Sequence, residues 1–192
     1  LRLLRGAGPE GLAGVLADRG DGIIRPLLGF RRAELRAWLQ AVGQGWREDV
    51  TNLSREPLRN RIRQEWLPRL EAEFNPALTP QLARLAEISG EEARFWAAYC
   101  DGLLAGHWQA SPSGGRLPRA RLRELPVAVQ RRLLRRIVQR VQGDVRQLDF
   151  RSLEEVRQWA ADERRHPRRR RLAGLVCRIT AGNVEFERAD RL

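Results

Sequence analysis

Apolar side chains recur at helical spacing within residues 58–70. Successive helical residues turn by roughly 100°, so side chains three and four positions apart share one side of a helix. We therefore predict an amphipathic helix that ends or kinks near Pro68, where the backbone lacks an N–H donor. The apolar stripe comprises Leu58, Ile62, Trp66, Leu67 and Leu70.

Two further helices and a strand are predicted in the first half of the chain. IIRPLL at 23–28 is typical of a short strand, and Pro26 stops it. FRRAELRAWLQAVG has helical spacing and places Gly43 where a helix commonly ends. A strand followed by a helix suggests the end of an α/β unit. From Leu78 to about His107 an approximate helical stripe predicts one long helix.

The second half of the chain predicts helices and a terminal hairpin. SPSGG at 111–115 indicates a flexible break, and helices follow at about 127–142 and 152–162. The run RRHPRRRR at 164–171 combines dense positive charge with a proline, which predicts a solvated loop or arm. LVCRIT and VEFER alternate around AGN, within 175–188, and predict a β-hairpin.

The expected fold class is therefore mostly α with short strands. We expect residues 1–75 to be the C-terminal end of an α/β domain, and residues 76–110 to be a linking helix. Residues 111–192 are expected to form a small helical domain with a terminal β-hairpin. The 192 residues contain no Met, and they open on LRLLR in the middle of a pattern, so we expect either a part of a longer protein or a product trimmed at its N-terminus.

Two arginines on the helix at 58–70 are the first candidates for chemistry. Arg59 and Arg63 lie four residues apart and project toward the apolar side. A guanidinium turned toward a core needs an anion, because burying an unpaired charge costs several kcal/mol. The anion is either a bound ligand or the neighbouring carboxylates of Glu48 and Asp49, which would only tie the loop to the helix.

The charge of the chain favours a polyanionic partner. The formal net charge is +12, and all 36 basic residues are arginine. Arginine binds phosphate bidentately and stacks on bases, which suits nucleic acid, although a GC-rich genome or a plain solvated surface would give the same composition. One face of the helix at 127–142 is arginine-rich and is either a surface for RNA backbone or an ordinary solvated face. Its basic residues are Arg131, Arg132, Arg135, Arg136 and Arg140.

Several kinds of chemistry are disfavoured by the composition. Without lysine the chain offers neither a Walker lysine nor a Schiff base. His107 and His166 are isolated, and Cys100 and Cys177 are far apart, so we expect no metal site and two buried thiols. No apolar run approaches the roughly 18 residues of a membrane span, and no secretory signal is present, which favours a cytoplasmic protein.

Three motifs in a fixed order resemble the last segment of the catalytic domain in the tRNA(Ile)-lysidine synthetase family: WREDVTN, then RNRIR, then LP. The enzymes of that family are PP-loop ATP pyrophosphatases. LRLLRGAGPEGLAG, IIRPLL and LPVAVQRRLLRRIVQ also resemble segments of that family. The family pattern is Trp-x-Glu-Asp-x-(Ser/Thr)-Asn followed by Arg-Asn-x-x-Arg. The matching residues are Trp46, Glu48, Asp49, Thr51, Asn52, Arg59, Asn60 and Arg63.

The resemblance implies a tRNA-modifying ligase that converts the wobble cytidine of a CAU-anticodon isoleucine tRNA to lysidine. It implies ATP with Mg, held mainly by residues upstream of this chain, and free lysine as substrates. The Ser-Gly-Gly-x-Asp-Ser loop of the family is absent here, so the chain alone is expected to be inactive. The sequence leaves open whether the protein forms a homodimer.

The resemblance also assigns residues. Arg59 and Arg63 would face the ATP phosphates or the adenylated intermediate, Asn52 and Asn60 would fix the loop, and Glu48 and Asp49 would belong to the nucleotide loop. In the second domain, tRNA backbone would contact Arg131, Arg132, Arg135, Arg136, Arg168, Arg169, Arg170 and Arg171. Two other functions fit the same residues: a non-catalytic RNA-binding module, and a helical domain that binds an acidic protein.

Overall fold

The computed structural model describes residues 1–15, 17–18, 22–49, 51, 54–145, 147–162 and 167–189. Two compact units divide the chain, Leu1–Ala93 and Arg94–Leu192. The division falls within the long helix predicted from residue 78. The three-part domain division inferred from the sequence stays a prediction.

Short helices make up most of the first unit. A 3₁₀ turn at Leu3–Arg5 precedes α1 (Pro9–Leu12), and α2 spans Arg32–Ala41 as predicted. Gly43 follows α2 with φ of 70°, the left-handed conformation that ends helices and that glycine adopts without strain.

The helix that carries Arg59 and Arg63 runs past Pro68 instead of ending there. It consists of α3 (Leu58–Arg61), a π-helical turn (Ile62–Trp66) and α4 (Leu67–Glu73). Pro68 sits in the first turn of α4, where its ring would conflict with the carbonyl one α-turn earlier. The wider π turn directly before it provides the room, so the helix continues to Glu73.

The predicted strand at 23–28 is wrong. Within the described residues this segment makes one isolated bridge, between Asp18 and Ile24, and then turns. Ile24 is 68% exposed and Leu27 is 59% exposed. Because Pro26 cannot donate to a strand ladder, the apolar run alone does not produce a strand.

α5, at Leu78–Ala105, confirms the long predicted helix. In the second unit it is followed by α6 (Arg119–Glu124), which the sequence pattern had not indicated, and by α7 (Val127–Gln142), which was predicted. α8 spans Phe150–Ala161 and begins at Asp149, whose carboxylate accepts a hydrogen bond from the Ser152 N–H at 2.8 Å.

A five-stranded antiparallel sheet completes the second unit, with strand order β1-β2-β5-β4-β3. The predicted terminal hairpin is confirmed by the pairing of β4 with β5. The sheet is larger than the sequence indicated, although the fold class, mostly helical with short strands, is confirmed. The strands are β1 (Gln109–Ser111), β2 (Gly114–Pro118), β3 (Arg168–Leu172), β4 (Leu175–Ile179) and β5 (Asn183–Arg188).

Two segments predicted as loops are strands. The flexible break at 111–115 lies in the β1–β2 hairpin, where a Cβ on Gly114 would come within 1.9 Å of the Phe186 carbonyl oxygen. Glycine is therefore required for the close approach of β2 to β5. The predicted arm is a strand over Arg168–Leu172, and the preceding residues 163–166 lie outside the described residues.

The core of the second unit lies between one face of the sheet and its helices. Phe186, Val184 and Leu175 of the sheet are fully buried and belong to the same hydrophobic core as Leu133 and Ile137 of α7. Cys100 and Cys177 are both buried thiols, as predicted, and burial raises the pKa of Cys177 to about 12. Cys177 therefore stays protonated and unreactive.

Candidate functional site

An open cleft of about 410 Å³ lies in the first unit. Its walls are largely apolar, and three arginines also line it. Apolar walls strengthen electrostatic interactions because they replace water near the charges. The lining residues are Leu1, Arg2, Leu3, Leu12, Gly14, Val15, Arg59, Ile62, Arg63, Leu67, Leu82 and Leu85.

Both arginines that the sequence analysis selected, Arg59 and Arg63, line this cleft. Arg59 comes from α3 and Arg63 from the π-helical turn, and both are exposed on the cleft wall. The prediction that they turn into a buried core is therefore wrong, since the apolar stripe beside them lines an open cleft. Within the described part of the chain, neither guanidinium has an ion pair or a hydrogen bond.

The carboxylates that could have paired with these arginines have other partners. Glu48 binds Arg32 and Arg36 of α2, and it accepts a hydrogen bond from the Trp46 indole N–H at 3.1 Å. Although desolvation opposes the change, the bond from Trp46 and the two arginine charges lower the pKa of Glu48. The structure thus ties Glu48 to α2, whereas the sequence had offered a pairing with Arg59 or Arg63.

Asp49 closes a local turn. Its Oδ1 accepts hydrogen bonds from the Thr51 hydroxyl at 2.7 Å and from the Thr51 N–H at 2.9 Å. These two bonds lower the pKa of Asp49. This is the Asx-type turn that aspartate favours in loops, so Asp49 shapes the loop and does not neutralise the cleft arginines.

Asn60 fixes that loop to the helix. Its side-chain amide donates to the backbone oxygen of Thr51 at 3.1 Å and to that of Ser54 at 2.9 Å. These two bonds hold the loop against α3 next to Arg59, and a role of Asn60 in nucleotide binding stays a prediction. Asn52, the other residue expected to act there, lies outside the described residues.

Two of the four arginines predicted to contact RNA from α7 form ion pairs inside the second unit. Arg131 binds Glu154 of α8 through two bonds, at 2.8 and 3.1 Å. Arg136 binds Asp101 of α5 at 2.9 and 2.5 Å, and its hydrogen bond lowers the pKa of Asp101. These pairs hold α7 against its neighbouring helices.

The other two predicted arginines of α7 are half-buried. The guanidinium of Arg132 lies over the Trp96 ring, 5.5 Å from its centroid. Such a cation–π contact is worth about 0.5–1 kcal/mol at an exposed site. Arg135 also has an interaction within the chain. RNA contact by these helix residues stays a prediction.

The run 168–171 splits by strand alternation. Arg168 binds Asp162 at 2.9 Å, and Arg170 binds Glu155 at 2.5 Å and donates to the Ser152 hydroxyl at 3.1 Å. Arg169 and Arg171 point to the opposite face and are exposed, with no ion pair among the described residues. β3 therefore carries two arginines that form ion pairs and two that form none with the residues described.

Sequence reasoning missed two classes of arginine. Arg116 and Arg178 lie on the same exposed sheet face as Arg169, which only the strand register reveals. Arg119 is 5% exposed, and it donates to the carbonyl oxygens of Ala160 and Trp159 at the end of α8. It closes that helix terminus, where carbonyls lack backbone partners.

No metal-binding cluster is present in the described ranges, since no group of three His, Cys, Asp or Glu side chains converges there. Nor does any helix among those described have the length and apolarity to cross a membrane.

Comparison with known proteins identifies two family models along the chain. Residues 1–70 match a PP-loop domain, and residues 117–184 match the TilS substrate binding domain. The first match contains the cleft arginines and Asn60. The second contains most of the sheet together with α6, α7 and α8.

Named relatives agree with both matches. The tRNA(Ile)-lysidine synthase of Solibacter usitatus is 43% identical over 155 residues, which cover 81% of this chain and 35% of the relative. That of Thermosynechococcus vestitus is 40% identical over 160 residues, covering 82% and 45%. That of Symbiobacterium thermophilum is 41% identical over 153 residues, covering 74% and 32%. The matched part of the chain thus covers 32–45% of these relatives' length.

Proposed function

The chain belongs to the tRNA(Ile)-lysidine synthase family, and from this we propose that it takes part in converting the wobble cytidine of a CAU-anticodon isoleucine tRNA to lysidine. The substrates are tRNA, ATP and free lysine, and the reaction takes place in the cytoplasm. In this proposal residues 1–75 form the C-terminal part of the PP-loop catalytic domain. Residues 76–110 link that domain to a tRNA-contacting domain at 111–192.

The proposed chemistry creates anions at each step. The C2 oxygen of the cytosine attacks the α-phosphate of ATP, so pyrophosphate leaves and an adenylated base forms. The amine of lysine then attacks C2, loses a proton, and displaces AMP. Negative charge on the phosphoryl group must be stabilised in both steps, and preorganised cationic donors can supply this stabilisation.

The observation that carries the proposal is the pair of uncommitted guanidiniums in the cleft. Arg59 and Arg63 line the same apolar-walled cavity, and the nearby carboxylates of Glu48 and Asp49 are engaged elsewhere. A phosphate is the matching ligand, because a guanidinium fork binds two of its oxygens at once. Arg63 is the stronger candidate for contact with the transferred phosphoryl group, and Arg59 assists it.

Magnesium does not fit the residues that the structure describes, since they contain no acidic cluster. In this proposal Mg enters with ATP on the phosphate oxygens, and no step is assigned to a metal held by this chain. The role of Asn60 is to position the loop that lies next to Arg59.

Lysidine formation tests the proposal directly. The natural full-length protein that contains these residues is incubated with a CAU-anticodon tRNA(Ile) transcript, ATP and lysine, and the digested RNA is examined by mass spectrometry. We expect lysidine at the wobble position only when both ATP and lysine are present. Tight tRNA binding without lysidine would contradict the ligase function and favour a non-catalytic RNA-binding module.

A further inference from the structure

The exposed face of the five-stranded sheet carries a continuous polar row. Strand register places Gln109, Arg116, Glu185, Arg178 and Arg169 directly beside one another across all five strands. Directly paired residues project from the same side of a sheet, so this row forms one surface. We call it the outer face, and it includes Arg171, which lies two residues along β3 from Arg169.

Charge on the outer face is unevenly compensated. Arg169 pairs in register with Arg178, and like charges directly opposite in a sheet are destabilising. Arg178 reaches Glu185 on its other side at 3.6 Å. Arg169 and Arg171 are exposed and have no ion pair within the described ranges. Three guanidiniums thus gather at the β3 edge of the sheet around a single carboxylate contact.

The inner face of β3 has the opposite arrangement. Arg168 and Arg170, which alternate with the outer pair, each bind a carboxylate of the α8 region, Asp162 and Glu155. The fold therefore neutralises one half of this arginine run and leaves the other half for solvent or for a ligand. A ligand with repeated negative charge would relieve the repulsion between Arg169 and Arg178.

We infer that the outer face, through Arg169, Arg171 and Arg178, binds the sugar-phosphate backbone of RNA. Side chains two apart on a strand are separated by about 6.6 Å and adjacent strands by about 4.8 Å, so the three guanidiniums form a compact, flat cationic patch. Backbone phosphates present charge at similar short intervals, and the planar fork of arginine binds them bidentately.

The partner is RNA rather than an acidic protein for two reasons. The first is shape, because the planar guanidinium forks of three neighbouring arginines can each bind two oxygens of a phosphate in a regularly spaced row. Residues 117–184, which match a substrate binding domain, contain the three arginines of the patch. Identification of that RNA as tRNA rests on the proposed function. Contacts of this kind fix orientation and carry no base identity.

A charge-neutralisation experiment tests the inference on the full-length protein. Binding of bulk tRNA is measured by fluorescence anisotropy from about 50 to 300 mM KCl for wild type and for R169Q/R171Q. We expect an affinity loss of about tenfold or more at low salt. The log-log salt slope should fall in magnitude by about 1.4–1.8, since each lost phosphate contact removes about 0.7–0.9.

Two variants with the same change in net charge serve as controls. R121Q/R151Q removes exposed arginines elsewhere in the second unit, and we expect binding and salt slope to stay unchanged. R168Q/R170Q alters the inner face of the same strand, and we expect a lower melting temperature with a smaller change in slope than R169Q/R171Q gives. Circular dichroism of each variant verifies that it is folded.

The outcomes separate this inference from the proposed ligase. If R169Q/R171Q raises the KM for tRNA in lysidine formation and leaves kcat unchanged, the outer face binds substrate. If R169Q/R171Q binds tRNA as wild type does, the inference is overturned, even where lysidine still forms. Competition by poly-glutamate as effective as competition by tRNA would also overturn it, because the face would then recognise acidic protein.

Discussion

Replacing Arg63 by alanine is expected to lower kcat/KM for lysidine formation by about 10²–10³-fold. Loss of one preorganised donor to a developing oxyanion typically costs this much. The free energy of unfolding should change by less than about 0.5 kcal/mol, because Arg63 is exposed and holds no partner among the residues described. Steady-state kinetics and urea unfolding of the same preparation give the two values.

The neighbouring Arg61 provides a matched control for this prediction. It is exposed on α3, and it does not line the cleft that Arg59 and Arg63 share. We expect R61A to leave both kcat/KM and unfolding unchanged. Equal kinetic losses in R61A and R63A would contradict a phosphate contact by Arg63. A large loss of stability in R63A, matching its loss of activity, would instead indicate a scaffolding role.

Replacing Glu154 by glutamine is expected to destabilise the fold by about 2 kcal/mol at pH 7. Glu154 and Arg157 have side chains only 15% and 14% exposed, and Glu154 also binds Arg131. Hydrogen bonds from Arg131 and then Arg157 lower its pKa from 4.5 to about 2. A shift of that size is worth about 3 kcal/mol at most, and we reduce it because Arg131 is partly exposed to solvent.

The pH dependence of this effect follows from the direction of the shift. A carboxyl group whose pKa is lower in the folded state stabilises the fold above its unfolded pKa of 4.5. That contribution is lost as the pH falls from about 4.5 toward about 2. We therefore expect the difference in unfolding free energy between wild type and E154Q to shrink steadily over this range.

Urea unfolding at pH 7, 4 and 2.5 measures that difference. E124Q is the control, since Glu124 forms an exposed pair with Arg121, and exposed pairs contribute at most about 1 kcal/mol. We expect E124Q to resemble wild type at every pH. A difference in the free energy of unfolding between wild type and E154Q that is the same at every pH would contradict stabilisation of the fold by the charge of the Arg131–Glu154–Arg157 cluster.

The helices were the part of the fold that the sequence predicted best, because their apolar residues repeat over several turns. α7 has its predicted bounds, Val127–Gln142, and α5 ends at Ala105, close to the predicted His107. A helix predicted from such periodicity forms when neighbouring elements cover its apolar side. The strand expected at 23–28 had no comparable support, since Pro26 interrupts it and, among the residues that the structure describes, it makes only one bridge.

The sheet was harder to predict because its pairing joins distant parts of the chain. Gly114 is next to Phe186 only in the folded register, so SPSGG resembled a flexible loop. The arginine run resembled a solvated arm because its neutralising carboxylates, Glu155 and Asp162, lie on another element. Alternation along β3 separates its two faces, and a charge run alone does not reveal that alternation.

The candidate cleft was predicted in part. Helical spacing correctly grouped Arg59 and Arg63 beside the apolar residues Ile62 and Leu67 that line the same cavity. Their burial was predicted wrongly, because spacing gives the side of a helix and not what covers it. The partners of Glu48 could not be predicted either. Arg32 and Arg36 lie on α2, and only the folded loop between α2 and Glu48 brings them together.

The central claim is that Arg59 and Arg63 bind a nucleotide phosphate in the cleft. A crystal structure of the full-length protein with Mg and a non-hydrolysable ATP analogue tests it most directly. We expect a phosphate oxygen about 2.7–2.9 Å from a guanidinium nitrogen of Arg63, with Arg59 on the same phosphate chain or beside it. A nucleotide bound elsewhere, with both guanidiniums left in solvent, would contradict the claim.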